Sequence, residues 1–136
     1  VTPLPPLSQS ITFTYAEPAE ESWRFYEEVL GLRLVLDQGR CRIYESTPGS
    51  RGFLGVCRAR APRSEPNSRA VGGVVLTFVT ADVEGFHRAL LERGVAIEKP
   101  PGYSEEYRVT GFFFRDPAGY LLEVQRFEHD EWPTPC

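Results

Sequence analysis

The chain has 136 residues, 41% of them hydrophobic and 25% charged, an ordinary globular composition at a length suited to one domain with one core. A formal net charge of -4, from 19 acidic and 15 basic side chains, offers no overall attraction to a phosphate backbone and argues against a nucleic-acid partner. No run approaches the roughly 20 uninterrupted apolar residues of a membrane helix, and the opening VTPLPPLSQS lacks the basic-then-apolar build of a signal peptide, so the expectation is a cytoplasmic protein with no membrane partner.

In chain order, Ile11 to Tyr15 alternate apolar and hydroxyl residues with the period of a half-buried strand. A helix is expected next. Pro18 suits its first turn, Glu20 and Glu21 suit the positive end of its dipole, Trp23, Tyr26, Val29 and Leu30 form its apolar face, and Gly31 can close it. Three strand-like pieces follow, LRLVLD, CRIYES and FLGVCRA, divided by turn chemistry at Gln38-Gly39 and at Pro48-Gly49-Ser50. The polar, proline-containing run 61–70 then reads as a linker. Beyond it, VVLTFVT predicts a strand, Asp82 caps a helix whose Val83, Phe86 and Leu90 share a face before Gly94, and VAIEK, YRVTGFFFR and YLLEVQRF predict three more strands.

Strand, helix and three strands thus occur twice at an offset of about 64 residues. The predicted fold class is α+β: two βαβββ modules, about 8–60 and 71–127, within one domain that ends in a tail, 128–136. Cysteine use fits a reducing compartment, because Cys41, Cys57 and Cys136 are an odd, widely spaced trio without a CxxC pair. Three unpaired thiols are expected, with Cys57 as a small buried apolar residue.

Two segments carry a resemblance to a known family. SWRFYEEVLGLRL, with the aromatic pair Phe25-Tyr26 and the turn Leu30-Gly31-Leu32, resembles the helix-to-strand segment of the glyoxalase/bleomycin-resistance/dioxygenase (vicinal oxygen chelate) superfamily. FFFRDPAGYLLEV resembles that family's closing hairpin, with Asp116-Pro117-Ala118-Gly119 as its turn and Glu123 at the last metal-ligand position. The resemblance spans Ser10 to Phe127. It implies an open, curled mixed sheet around a cleft with helices outside, a small-molecule ligand, and a homodimer.

It also implies a divalent metal, held in the family's enzymes by side chains on strands of both modules. Such an ion needs about three oxygen or nitrogen ligands. Counting from the motifs, the first-strand position falls at Ile11 or Ser10, its repeat at Val75, and the fourth-strand position around Gly55 to Arg58, where Cys57 is the only soft donor. Glu123 alone is a clear donor. Three readings of it stand: a metal ligand helped by the tail residues Glu128, His129 and Asp130, a polar anchor for a bound molecule, or a carboxylate held by neighbouring hydrogen bonds.

The favoured expectation is a protein without a cofactor that binds a planar or partly apolar small molecule. The alternative is a metal-dependent lyase, isomerase or dioxygenase with an altered ligand set that includes Glu123. Walker, GxGxxG, HExxH and GxSxG motifs do not occur, and no residue is assigned a catalytic role. By strand parity, apolar lining is expected from one set of side chains in Phe112-Phe113-Phe114 and from Phe13 or Tyr15. The polar contacts are expected from Thr12, Thr14, Tyr44, Thr77, Glu123 and Gln125. Arg58, Arg60 and Arg63 read as a solvated basic loop, and His129 as part of an acidic tail.

Overall fold

A computed structural model describes residues 3, 5, 9–49, 52–59 and 74–133. The chain divides into two units, Val1–Arg63 and Ser64–Cys136. The expected linker 61–70 lies outside the described residues, as do Arg60, Arg63 and Cys136.

In the first unit the hydroxyl/apolar alternation becomes strand β1 (Ser10–Ala16), with Thr14 and Ala16 buried and Ile11, Phe13 and Tyr15 exposed. Helix α1 (Ala19–Arg24) follows. Pro18 takes the cap position with extended φ -76° and ψ 140°, one residue before the first turn where it was expected. The expected regular helix also changes character, because Phe25–Val29 form a π-helical turn in which Leu30 N donates to Phe25 O at 3.0 Å. A wider turn rotates less per residue, which lets the adjacent rings of Phe25 and Tyr26 both be buried. Gly31, at φ 67°, then reverses the chain as expected.

Strands β2 (Leu34–Asp37), β3 (Cys41–Glu45) and β4 (Gly52–Arg58) complete a four-stranded sheet of order β1-β4-β3-β2, with β1 parallel to β4 and the other pairs antiparallel. Helix α1 covers one face. Trp23 Nε1 donates to Val56 O at 2.7 Å, the Arg42 guanidinium lies 4.6 Å from the Trp23 ring centre, and Arg42 and Tyr44 both donate to Glu27. Burial and the Glu27 hydrogen bond together push the Tyr44 hydroxyl well above the usual phenol range.

The three-thiol expectation is corrected here. Cys41 and Cys57 are direct partners across β3 and β4, and the bond from Arg58 N to Arg40 O marks theirs as a pair without mutual hydrogen bonds, the closer of the two antiparallel spacings. They form a disulfide. A count of widely spaced cysteines could not anticipate that a hairpin would place two of them opposite each other, and the thiol argument for a reducing compartment falls with it. Among the described residues, no helix is long and apolar enough to cross a membrane.

The second unit repeats the plan with β5 (Val75–Val79), α2 (Val83–Glu92), β6 (Ile97–Ser104), β7 (Val109–Arg115) and β8 (Leu121–Phe127), in sheet order β5-β8-β7-β6 with β5 parallel to β8. Two four-stranded mixed sheets, each with a helix, give the α+β fold of two βαβββ modules. Asp82 caps α2 by accepting from Gly85 N at 2.9 Å, and a Cβ on Gly85 would collide with that carboxylate. Asp116 holds the closing turn, its Oδ1 accepting from Ala118 N at 3.0 Å and Tyr120 N at 2.9 Å. Strand β6 runs past the expected VAIEK and through Pro100-Pro101, which its position at the sheet edge permits because one row of N–H groups there has no partner strand.

Candidate ligand site

In the second unit α2 packs on β6, β7 and β8, on the face where Phe112, Phe114, Leu122 and Val124 are buried. The opposite parity is left open, and it contains a concave space of about 660 Å³. Pairing across the four strands aligns Thr77, Glu123, Phe113 and Lys99 in one row of that face. The next row holds Val79, Gln125, Gly111 and Gly102. Val75, Tyr103, Ser104, Tyr107, Val109 and Phe127 complete the lining.

Glu123 is half-buried, and its Oε1 accepts from Thr77 Oγ1 at 3.0 Å. Among the described residues, Glu123 Oε2 and the Gln125 amide have no protein partner. Phe113 presents its ring beside them, and Lys99 Nζ stands 5.8 Å from the ring centre, at the outer limit of a cation–π contact. Gly111 is required by packing, since a Cβ there would lie 2.7 Å from Val124 O. The same added Cβ would lie 3.0 Å from Gln125 Cβ, so this position stays bare next to the Gln125 side chain. The arrangement offers a flat apolar floor with a carboxylate and an amide on one side and an ammonium on the other.

The expected polar residues are divided by this geometry. Thr77, Glu123 and Gln125 come together on the open face of the second sheet. Thr14 and Tyr44 are buried on the α1 side of the first sheet, and Thr12 shares their parity. Phe112 and Phe114 lie under α2, which leaves Phe113 as the member of the triplet on the open side. Lys99 was missed by sequence reasoning. Its signal was present, because hairpin pairing back from Phe113 reaches it, but the irregular register between Ile97 and Gly102 cannot be read from residue types.

The register also locates the family's metal positions. Glu123 stands two residues beyond Leu121, the partner of Val75, and the same relation from Ile11 leads through Phe53 to Gly55. The four equivalent positions are thus Ile11, Gly55, Val75 and Glu123. Only Glu123 has a side-chain donor, while Gly55 is covered by the ring of Phe13. Cys57 is bonded to Cys41, Ser10 pairs with Gly52 on the Thr12 parity, and the His87 ring lies against Phe112. In the tail, His129 Nδ1 accepts from Glu131 N, and Glu128 is engaged by Arg126 and Thr110. Among the described residues, no group of three or more His, Cys, Asp and Glu side chains is placed to hold an ion. These donors do not fit a three-ligand shell.

The family model described as Glyoxalase/Bleomycin resistance protein/Dioxygenase superfamily matches residues 12–124. No curated protein matches the chain. Solved structures with the same fold include a glyoxalase/bleomycin resistance protein/dioxygenase from Nocardioides, 19% identical, with a TM-score of 0.72 over 100% of this chain and 93% of that one. A lactoylglutathione lyase from Agrobacterium tumefaciens is 24% identical, with a TM-score of 0.70 over 95% and 100% of the two chains. A glyoxalase/bleomycin resistance protein from Streptomyces sp. CB03234 is 26% identical, with a TM-score of 0.67 over 86% and 98%.

Proposed function

The chain belongs to the glyoxalase/bleomycin resistance protein/dioxygenase superfamily, and from that premise we propose that it is a binding protein that holds a small, planar, partly apolar molecule on the open face of its second sheet without a metal ion. One observation carries this reading. Of the four register-equivalent positions only Glu123 has a side-chain donor atom, and that carboxylate accepts from Thr77 beside the half-buried ring of Phe113. A lone carboxylate is a poor cation site but a good anchor for a hydrogen-bonding ligand, and apolar clefts with a few convergent polar groups are the usual form of small-molecule sites. The alternative, a metal-dependent lyase, isomerase or dioxygenase, would need further ligands than this face supplies.

Two measurements test the reading. After exhaustive dialysis, elemental analysis is expected to find far less than one divalent ion per chain, and a stoichiometric ion that is lost in Glu123→Gln would establish the metal alternative. Naphthol, a neutral planar probe, is expected to bind the metal-free protein in a fluorescence titration, and Phe113→Ala is expected to weaken it about tenfold, the scale of one lost aromatic contact. Absence of naphthol binding to the unaltered protein would overturn the proposal.

A further inference from the structure

Resting on that reading, we infer that the site selects an aromatic acid: a one- or two-ring planar body with an anionic carboxylate at one end and a hydroxyl or amine donor at the other. The inference comes from the row Thr77, Glu123, Phe113, Lys99. Neighbouring strands are about 4.8 Å apart, so Glu123 and Lys99, two strands removed, are separated by about 10 Å at the backbone, with Phe113 between them. A charged acceptor, a ring and a charged donor therefore follow one another along a single line, and a molecule lying on the ring meets opposite chemistry at its two ends.

Each end has unused capacity. Thr77 occupies one oxygen of Glu123 and fixes its orientation, which leaves the second oxygen for a ligand donor, with the Gln125 amide two residues along the same face. At the other end Lys99 is exposed and, among the described residues, has no ion pair, whereas the neighbouring Glu98 is paired with Arg115. An ammonium with three donors and no carboxylate partner is a suitable counter-charge for a bound anion. The overall charge of -4 gives the chain no general attraction for an anion, so recognition of one rests on local groups such as this ammonium. Gly102, in the row beside Phe113 and Lys99, presents no side chain, and a Cβ there would meet nothing nearer than Pro100 O at 4.0 Å, which leaves room for a second fused ring to lie flat.

The probe is a hydroxynaphthoate with its hydroxyl and carboxylate at opposite ends, compared with naphthol by fluorescence titration of the unaltered protein. Hydroxynaphthoate is expected to bind about tenfold more tightly than naphthol, the scale of one charge-assisted hydrogen bond. Lys99→Ala is expected to weaken hydroxynaphthoate about tenfold more than it weakens naphthol, and Lys99→Arg to restore most of that difference. Equal affinity for the two probes, or an equal loss of both in Lys99→Ala, would overturn the inference while the binding function stands. If naphthol does not bind the unaltered protein, the binding function fails as well.

Discussion

The two units are built on one plan, and the comparison between them separates what the fold requires from what it leaves free. On the helix side the equivalences are close. The caps Pro18 and Asp82 stand 64 residues apart, and the same offset relates buried Ala19 to Val83 and buried Tyr26 to Leu90. It also relates the glutamates of two clamps, Glu20 and Glu84, each gripped from the strand parallel to the first by an arginine, Arg58 and Arg126, although those arginines stand 68 residues apart. On the open side the equivalences fail. Thr77 and Glu123 occupy the lattice points that Phe13 and Gly55 occupy in the first unit, so a polar pair in one corresponds to a ring lying on a glycine in the other. Helix packing constrains one face of each sheet tightly, and the other face is available to diverge.

The largest expected difference between the units is covalent. The Cys41–Cys57 bond ties β3 to β4, and among the described residues the second unit has no counterpart. Closing a loop with a sequence separation of 16 residues restricts the unfolded chain enough to stabilise the protein by about 3 kcal/mol on the chain-entropy argument. Urea unfolding with and without reductant is expected to differ on that scale. The unreduced, denatured chain is expected to show two of its three cysteines blocked to a thiol reagent. Reaction of all three would remove the bond and restore the expectation of free thiols.

A smaller difference lies in the clamps. Arg58 is met by Glu20 and Glu17, all on the helix side, whereas Arg126 is met by Glu84 and also by Glu128, which accepts from Thr110 Oγ1 at 2.7 Å. The Arg126 hydrogen bonds come first and the Thr110 hydroxyl second in lowering Glu128 from the ordinary 4.5 to about 2, and Arg126 lowers Glu84 as well. A carboxylate lowered on folding contributes stability that is present above its unfolded value and is lost as pH falls through its folded value. Thermal melts of the unaltered protein are thus expected to lose stability between pH 4.5 and about 2. Arg126→Leu should flatten that acid limb more than Arg58→Leu, while Tm near neutral pH falls only on the order of a few degrees because these pairs are exposed. Equal flattening by the two substitutions would show that Glu128 adds nothing to the second clamp.

Much of the fold was legible because periodicity, caps and turns all act locally. The alternation at Ile11 to Tyr15, the Asp82 cap and the Asp116 to Gly119 turn each state their structure within a few residues. The site was legible only in part. Glu123 follows from the closing-hairpin motif, and Gln125 and Thr77 from strand parity, while the pairing of Thr77 with Glu123 is a matter of register. Parity cannot say which of two faces a helix will cover; Thr14 and Tyr44 are buried on the α1 side, and Thr12 is exposed on the same parity. Lys99 and the disulfide depended on register between strands, which no single segment encodes.

The smallest expected effect tests the comparison where it is most specific, at Phe13 and Gly55. A Cβ on Gly55 would collide with the Phe13 ring, so Gly55→Ala must displace it. Phe13 is 45% exposed, and its side chain has solvent to turn into, so the displacement should cost less than about 1.5 kcal/mol, below the usual range for overfilling a closed core. In a Phe13→Ala background the same substitution should cost nothing or stabilise slightly, because alanine suits a strand better than glycine once the space is empty. The coupling between the two changes, read from urea unfolding as a double-mutant cycle, is therefore expected to equal the whole cost of Gly55→Ala. An equal cost in both backgrounds would mean that Gly55 is kept small by the backbone rather than by the ring. The contrast with Thr77 and Glu123 would then be an accident of residue choice, not an exchange of a polar pair for a stacked one.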